Sequence, residues 1–219
     1  MNGAGNEVAA GAESLRSLEY VVVDVETTGG GAGRGDRVTE IAAIRVRGTG
    51  EVLEEFTTLV NPERPIPPFI TRLTNITDEM VRDAPRFGEI AEEVRRLLTG
   101  GVFVAHNVAF DWAFLHHELE RATGTGLEGR RLCTVKLARR VVPEVASRSL
   151  GALSEYFGIE NDARHRAFGD ARATVEILMR LLERVEGYEI TSWAELEKLL
   201  ASRRRRRKRS ALPRSIENI

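Results

Sequence analysis

A single cysteine in 219 residues excludes an internal disulfide. Cys133 reads instead as a small, buried apolar side chain. A fold without disulfides fits a reducing compartment, so a cytoplasmic setting is expected. Glutamine is missing altogether, which excludes a glutamine-based sliding-clamp motif. Lysine occurs only at positions 136, 198 and 208, so nearly all of the 32 cationic side chains are arginine. No apolar run approaches the ~18–20 residues needed to cross a bilayer, and no membrane role is expected. Residues 1–17, MNGAGNEVAAGAESLRS, lack the basic and apolar regions of a signal peptide. Small residues dominate them, and they read as a disordered lead-in.

What is present suits one globular domain with a sizeable core: 42% of residues are hydrophobic and 30% charged. The net charge of −1 conceals an asymmetry. Residues 203–209 read RRRRRKR, whereas residues 1–202 hold 24 basic and 32 acidic side chains, a net of −8. An acidic body therefore carries a strongly basic tail or linker over 203–219.

Periodicity places the elements. Residues 19–26 are β-branched on both faces, as in a central buried strand. The glycine-rich GGGAGRG (29–35) reads as a flexible loop. Strands over 38–46 and 52–60 form a hairpin around Gly48-Thr49-Gly50. The proline-rich stretch 61–68 ends the pairing. Helices are expected to start at Thr77-Asp78 and to cover 86–98, 108–122, 135–142, 149–157, 167–185 and 192–200, with short strands at 102–105 and 131–133. A meander followed by alternating helix and strand predicts an α/β fold, a mixed sheet flanked by helices.

Four carboxylates and one imidazole stand out. Asp24 and Glu26 in YVVVDVETTG lie two apart on a strand and so share a face, at ~6–7 Å spacing. No Lys or Arg lies between Leu18 and Gly33 to neutralise them. The plain alternative is a strand end open to solvent, which Thr27-Thr28-Gly29 also marks. Asp111 in VAHNVAFDWAF aligns with the apolar stripe of its helix, although a first-turn acid favoured by the helix dipole reads the same way. His165 and Asp170 in HRAFGDARAT are weak evidence alone. Acids in apolar settings are costly unless neutralised. A pair of divalent cations would neutralise them, and such pairs cut phosphodiesters.

DVETTG, AHNVAFD and HRAFGDA together closely resemble the three motifs of the DnaQ-like DEDDh family, the 3′→5′ exonucleases of proofreading type found in the ε subunit and the PolC exonuclease domain of bacterial DNA polymerase III. FITRLTNITDEMVRDAPRF resembles the segment between the first two motifs, with Asn75 where relatives carry glycine. The resemblance covers residues 18–186. It implies an RNase H-like fold with a five-stranded mixed sheet of order 3-2-1-4-5 and an exonuclease domain over 18–186; the helix read from the sequence makes 187–202 a C-terminal helix outside that domain. It implies two Mg²⁺ or Mn²⁺ ions held by Asp24, Glu26, Asp111 and Asp170, with Asp24 bridging them and His165 as general base. By the same likeness, backbone amides near Thr27 and Thr28, with Asn107 and Phe110, hold the terminal nucleotide. His106 reads as structural, His116 and His117 as surface or satisfied helix residues, and Trp112 as packing.

The expected reaction releases nucleoside 5′-monophosphates from the 3′ end of single-stranded or frayed DNA, with RNA also open. A polymerase subunit is an expected partner, and a GIY-YIG nuclease domain fused beyond residue 219 is a further expectation. The competing reading is a nucleic-acid- or polymerase-binding module that kept the fold and lost the chemistry.

Overall fold

The computed structural model describes residues 13–160 and 165–202. Five strands, β1 (Glu19–Thr27), β2 (Val38–Arg47), β3 (Val52–Leu59), β4 (Val102–Ala105) and β5 (Arg131–Cys133), form one sheet in the order 3-2-1-4-5. β1 pairs antiparallel with β2 and parallel with β4. Strand direction thus switches at β1, and such a switch leaves a crevice at the strand's carboxyl end.

Among the described residues, eight helices flank the sheet: α1 (Pro68–Thr74), α2 (Asp78–Arg82), α3 (Phe87–Leu98), α4 (Val108–Thr123), α5 (Thr134–Val141), α6 (Leu150–Phe157), α7 (Ala167–Glu186) and α8 (Trp193–Ala201). The alternation of β1 separates two cores. Val21, Val23 and Val25 face Phe87, Val94, Phe114, Leu115 and Leu119 of α3 and α4. Tyr20 and Val22 face Leu137, Leu153, Ile177, Leu181 and Leu196 of α5 to α8. Asp24 and Glu26 continue this second face.

Most helix boundaries fall within two residues of expectation. Thr77 caps α2 by accepting from the Met80 amide, and Ser192 caps α8 in a capping box with Glu195. Asn75 adopts φ 58° at the end of α1, the left-handed conformation its short polar side chain tolerates. α1 itself was not expected. It buries only Ile70 and Thr74, leaves Phe69 and Leu73 exposed, and is too short to show a period.

Two corrections concern loops. GGGAGRG contains a 3₁₀ turn, Ala32–Arg34. Asp36 organises it by accepting from the Gly31 amide at 2.9 Å, and a Cβ at Gly29 would meet that carboxylate at 2.5 Å. Part of the presumed lead-in also packs: Leu15 is buried, Ser14 bridges to Ser192, and Arg16 pairs with Glu186. Residues 1–12 and the basic tail from 203 lie outside the described residues.

Candidate active site

Asp24 and Glu26 sit near the end of β1, where it runs on past its pairing with β4, which spans Tyr20 to Val22. α7 covers this face through its smallest residues. Ala167 and Ala171 pack against Ala42 and Ile44 of β2, which brings the helix close to the sheet. That approach delivers Asp170 from the first turn of α7. One carboxylate oxygen from each of Asp24, Glu26 and Asp170 lies within 4.8 Å of the other two, and no other such group of three occurs among the described residues.

Asp111 arrives from the opposite layer. It is buried in the first turn of α4, and its Oδ1 accepts from the Val25 amide at 3.3 Å. That amide lies beyond the recorded β1–β4 pairing, so the carboxylate takes the place of a strand partner. The structure thus brings three carboxylates together and places the fourth near them, hydrogen-bonded to the residue between Asp24 and Glu26.

The electrostatics agree. Burial pushes the Asp24 carboxyl well above the usual carboxylate range, and the charges of Asp111, Asp170, Glu26 and Glu40 push it further. Burial raises Glu26 to about 7, with Asp170, Glu40 and Asp111 adding and Arg166 opposing. Burial also raises Asp111, against the hydrogen bonds from its own backbone and Val25. Buried acids crowded together resist ionising unless a positive charge offsets them. Three hard oxygen donors around one point fit a divalent cation.

His165 is exposed and adopts φ 61°, a conformation uncommon for a residue with a Cβ. Its amide donates to Asp170 Oδ2 at 3.1 Å, so the histidine-bearing turn and the acid are tied together. Asn107 is the exposed N-cap of α4 and makes no side-chain cap bond. Phe110 is half-buried against Phe114, ring centroids 4.8 Å apart. The expected amide contacts near Thr27 and Thr28 cannot use the Thr28 amide itself. The Thr28 amide already donates to the Arg37 carbonyl at 2.8 Å, and both threonine side chains are buried.

His106 is a staple. Its Nε2 faces the Arg148 carbonyl at 2.9 Å and must donate, so Nδ1 accepts from the Thr134 hydroxyl at 2.8 Å. Burial lowers its pKa, which keeps the ring neutral. His116 Nδ1 accepts from the Leu127 amide, and His117 is exposed beside Glu120. Trp112 packs edge-on against Phe103.

Glu40 and Arg166 escaped the sequence reading. Glu40 is buried on β2 directly opposite Glu26 and accepts from Arg166 Nη2 at 2.7 Å. The signal was the one used for β1, an acid inside an apolar strand.

A family model described as an exonuclease matches residues 21–178. The chain belongs to the DnaQ-like exonuclease family. It is 44% identical over 194 residues to a protein of Mycobacterium tuberculosis named as a bifunctional exonuclease/endonuclease, covering 85% of this chain and 30% of that protein. It is 38% identical to the 3′-5′ exonuclease DinG of Bacillus subtilis, covering 84% and 20% of the two chains. The chain thus spans less than a third of these relatives' length. Exonuclease X, solved with 5′ overhanging duplex DNA, superposes with a TM-score of 0.62 at 25% identity over 83% of this chain and 99% of that one. E. coli exonuclease I, solved with a dT13 oligonucleotide, gives 0.68 at 20% identity over 79% and 43%, a likeness of fold.

Proposed function

We propose that this exonuclease-family chain is a metal-dependent 3′→5′ exonuclease that removes nucleoside 5′-monophosphates from DNA ends. The observation that carries the reading is the convergence of Asp24, Glu26 and Asp170, with Asp111 hydrogen-bonded to the Val25 amide beside them. Family membership and the 3′-5′ activity in the name of the DinG relative support the polarity. DNA is favoured because exonuclease X was solved with it.

Two divalent cations, Mg²⁺ or Mn²⁺, would activate the attacking water and stabilise the leaving oxygen. Asp24, Glu26 and Asp170 would hold them, and Asp111 would support the second. Asp24 would hold both, a reading supported by its closeness to Glu26 and Asp170 and by the Val25–Asp111 bond one residue away. His165 takes the proton from the water as general base, and its exposed turn leaves the ring accessible. Asn107 and Phe110 at the start of α4, with backbone near Thr27, hold the terminal nucleotide.

A cleft of about 660 Å³ beside the site carries Arg166, Phe168 and Arg172 along the edge of β3. Glu40, Glu160 and Glu176 line it as well, so it presents charges of both signs. The bifunctional relative supports a second nuclease domain in the full reading frame, of the expected GIY-YIG type, and recovering that frame tests it. For the main reading, a 5′-labelled oligonucleotide should shorten stepwise from its 3′ end with Mg²⁺ and stay intact with EDTA. Internal cuts alone, or activity surviving EDTA, would refute it.

A further inference from the structure

We infer that Glu40 is a positioning residue for this site: with Arg166 it fixes the turn that carries His165 and Asp170. The inference rests on the exonuclease reading for its catalytic consequence, and on geometry for the rest.

A buried carboxylate is costly without partners. Glu40 is 4% exposed and meets three donor groups. Its Oε1 accepts from Arg166 Nη2 at 2.7 Å and Nε at 3.2 Å, and its Oε2 accepts from Arg166 Nε at 3.1 Å and from the Ala167 amide at 2.9 Å. These bonds bridge 126 and 127 residues of sequence. They join β2 to the first turn of α7.

That first turn needs help. Its N-cap, Arg166, makes no side-chain cap bond, and the Ala167 amide is one of the first-turn N–H groups that have no acceptor within the helix. Glu40 supplies it from the neighbouring strand. The preceding residue, His165, is held at φ 61°, and its amide reaches Asp170 Oδ2. An uncommon conformation persists where the surroundings over-determine it. Here they do so from both sides: Asp170 fixes the His165 amide, and Glu40 fixes Arg166 and Ala167. Because Glu40 pairs in register with Glu26, the turn is referenced to the strand that carries Asp24 and Glu26.

The rival is that Glu40 acts directly, as a further metal ligand. Its oxygens are already engaged, and it is not among the three acids that converge.

The test uses the full chain and three variants: Glu40→Gln, Arg166→Gln and the double. Glu40→Gln is isosteric and Arg166 is half-exposed, so folding should survive, and thermal melting checks it. Each single variant should lower kcat about 10- to 100-fold, as loss of an outer-shell partner does, with KM within about threefold. Mn²⁺ affinity by calorimetry should fall by no more than that factor. Amide exchange over residues 165–171 should speed up roughly tenfold in the metal-free protein. The double should lose no more than the worse single, because one linkage is broken in each.

Losses that multiply in the double would overturn the inference in favour of direct action. So would unchanged exchange in Glu40→Gln, or a loss confined to KM. If the wild-type chain failed to hydrolyse any oligonucleotide with Mg²⁺ or Mn²⁺, the exonuclease reading would fall, and the exchange arm would still decide whether Glu40 holds the turn.

Discussion

Neutralising Glu26 tests the electrostatics of the site without any substrate. The carboxyl titrates at about 7, against 4.5 for an ordinary glutamate, chiefly because it is buried and then because Asp170, Glu40 and Asp111 surround it. A raised pKa means that the folded protein binds this proton more tightly than the unfolded chain. Between pH ~4.5 and ~7 the native state therefore holds the extra proton, and stability falls as pH rises through that window. A tenfold change in proton affinity is ~1.4 kcal/mol, so Glu26 costs the metal-free protein up to ~3 kcal/mol above pH 7. Partial exposure reduces this to roughly 1–3 kcal/mol. Glu26→Gln removes the titration. In EDTA the variant should match wild type near pH 4.5 and melt higher at pH 8, by about 2–12 °C for a chain of this size. Saturating Mg²⁺ should reverse the order, because wild type gains more from the ion. Differential scanning calorimetry at four pH values reads both arms. Ion-paired acids such as Glu186 tilt the background the other way, so the difference between the two proteins is the decisive quantity. Parallel pH profiles for wild type and variant would show that Glu26 lies in no strained cluster.

Asp24→Asn should abolish hydrolysis yet leave metal-free stability equal or higher, since burial and four neighbouring acids already oppose its charge; a large loss on melting would make Asp24 structural. His165→Ala should cut turnover by roughly 10²–10⁴, with Mn²⁺ affinity by calorimetry nearly unchanged. Glu118→Ala should cost about 2 kcal/mol or more in denaturant titration, because it strips Arg37 of the bonds to Nε and Nη2 at 2.7 and 3.0 Å, leaves it only Glu63 at 3.4 Å, and strands the Val38 amide; a loss under 1 kcal/mol would show the pair to be dispensable. Deleting residues 203–219 should lower the salt slope of single-strand binding in Ca²⁺ by ~2–3, at about 0.7 per phosphate contact, and identical slopes would make the basic run a mere linker.

What was legible in the sequence follows from the range of the signal. Asp24 and Glu26 could be read because strand alternation is local: two acids, period two, no cation nearby. The 3.6-residue period likewise located α3, α4 and α7. Asp111 was ambiguous alone, because its partner, the Val25 amide, lies 86 residues away. Only the family's motif order chose between a buried acid and a dipole-favoured one. Glu40 carried the same local signal as Asp24 but no motif, and its meaning depends on register with Glu26 and on a helix start 127 residues on. α1 failed for the opposite reason. Phe69 is 59% and Leu73 50% exposed, so its apolar residues do not report which face is buried. The Thr28 amide shows the same limit, since its acceptor is the carbonyl of Arg37 across the glycine loop.

The destination of Arg166 explains how an acidic cluster stays open to a metal ion. This guanidinium already lowers the pKa of Glu26 through space, so it is the cation best placed to neutralise the site. Guanidinium and carboxylate form strong bidentate pairs, and an arginine seated on Asp24 and Glu26 would occupy the oxygens a metal needs. Glu40 prevents this by taking Arg166 through both Nε and Nη2. Glu40 thus accepts from the first amide of α7 and keeps the nearby guanidinium off the triad. Repulsion among Asp24, Glu26 and Asp170 is left for a small divalent ion to relieve. The same repulsion that destabilises the metal-free fold therefore adds to the affinity for the ion.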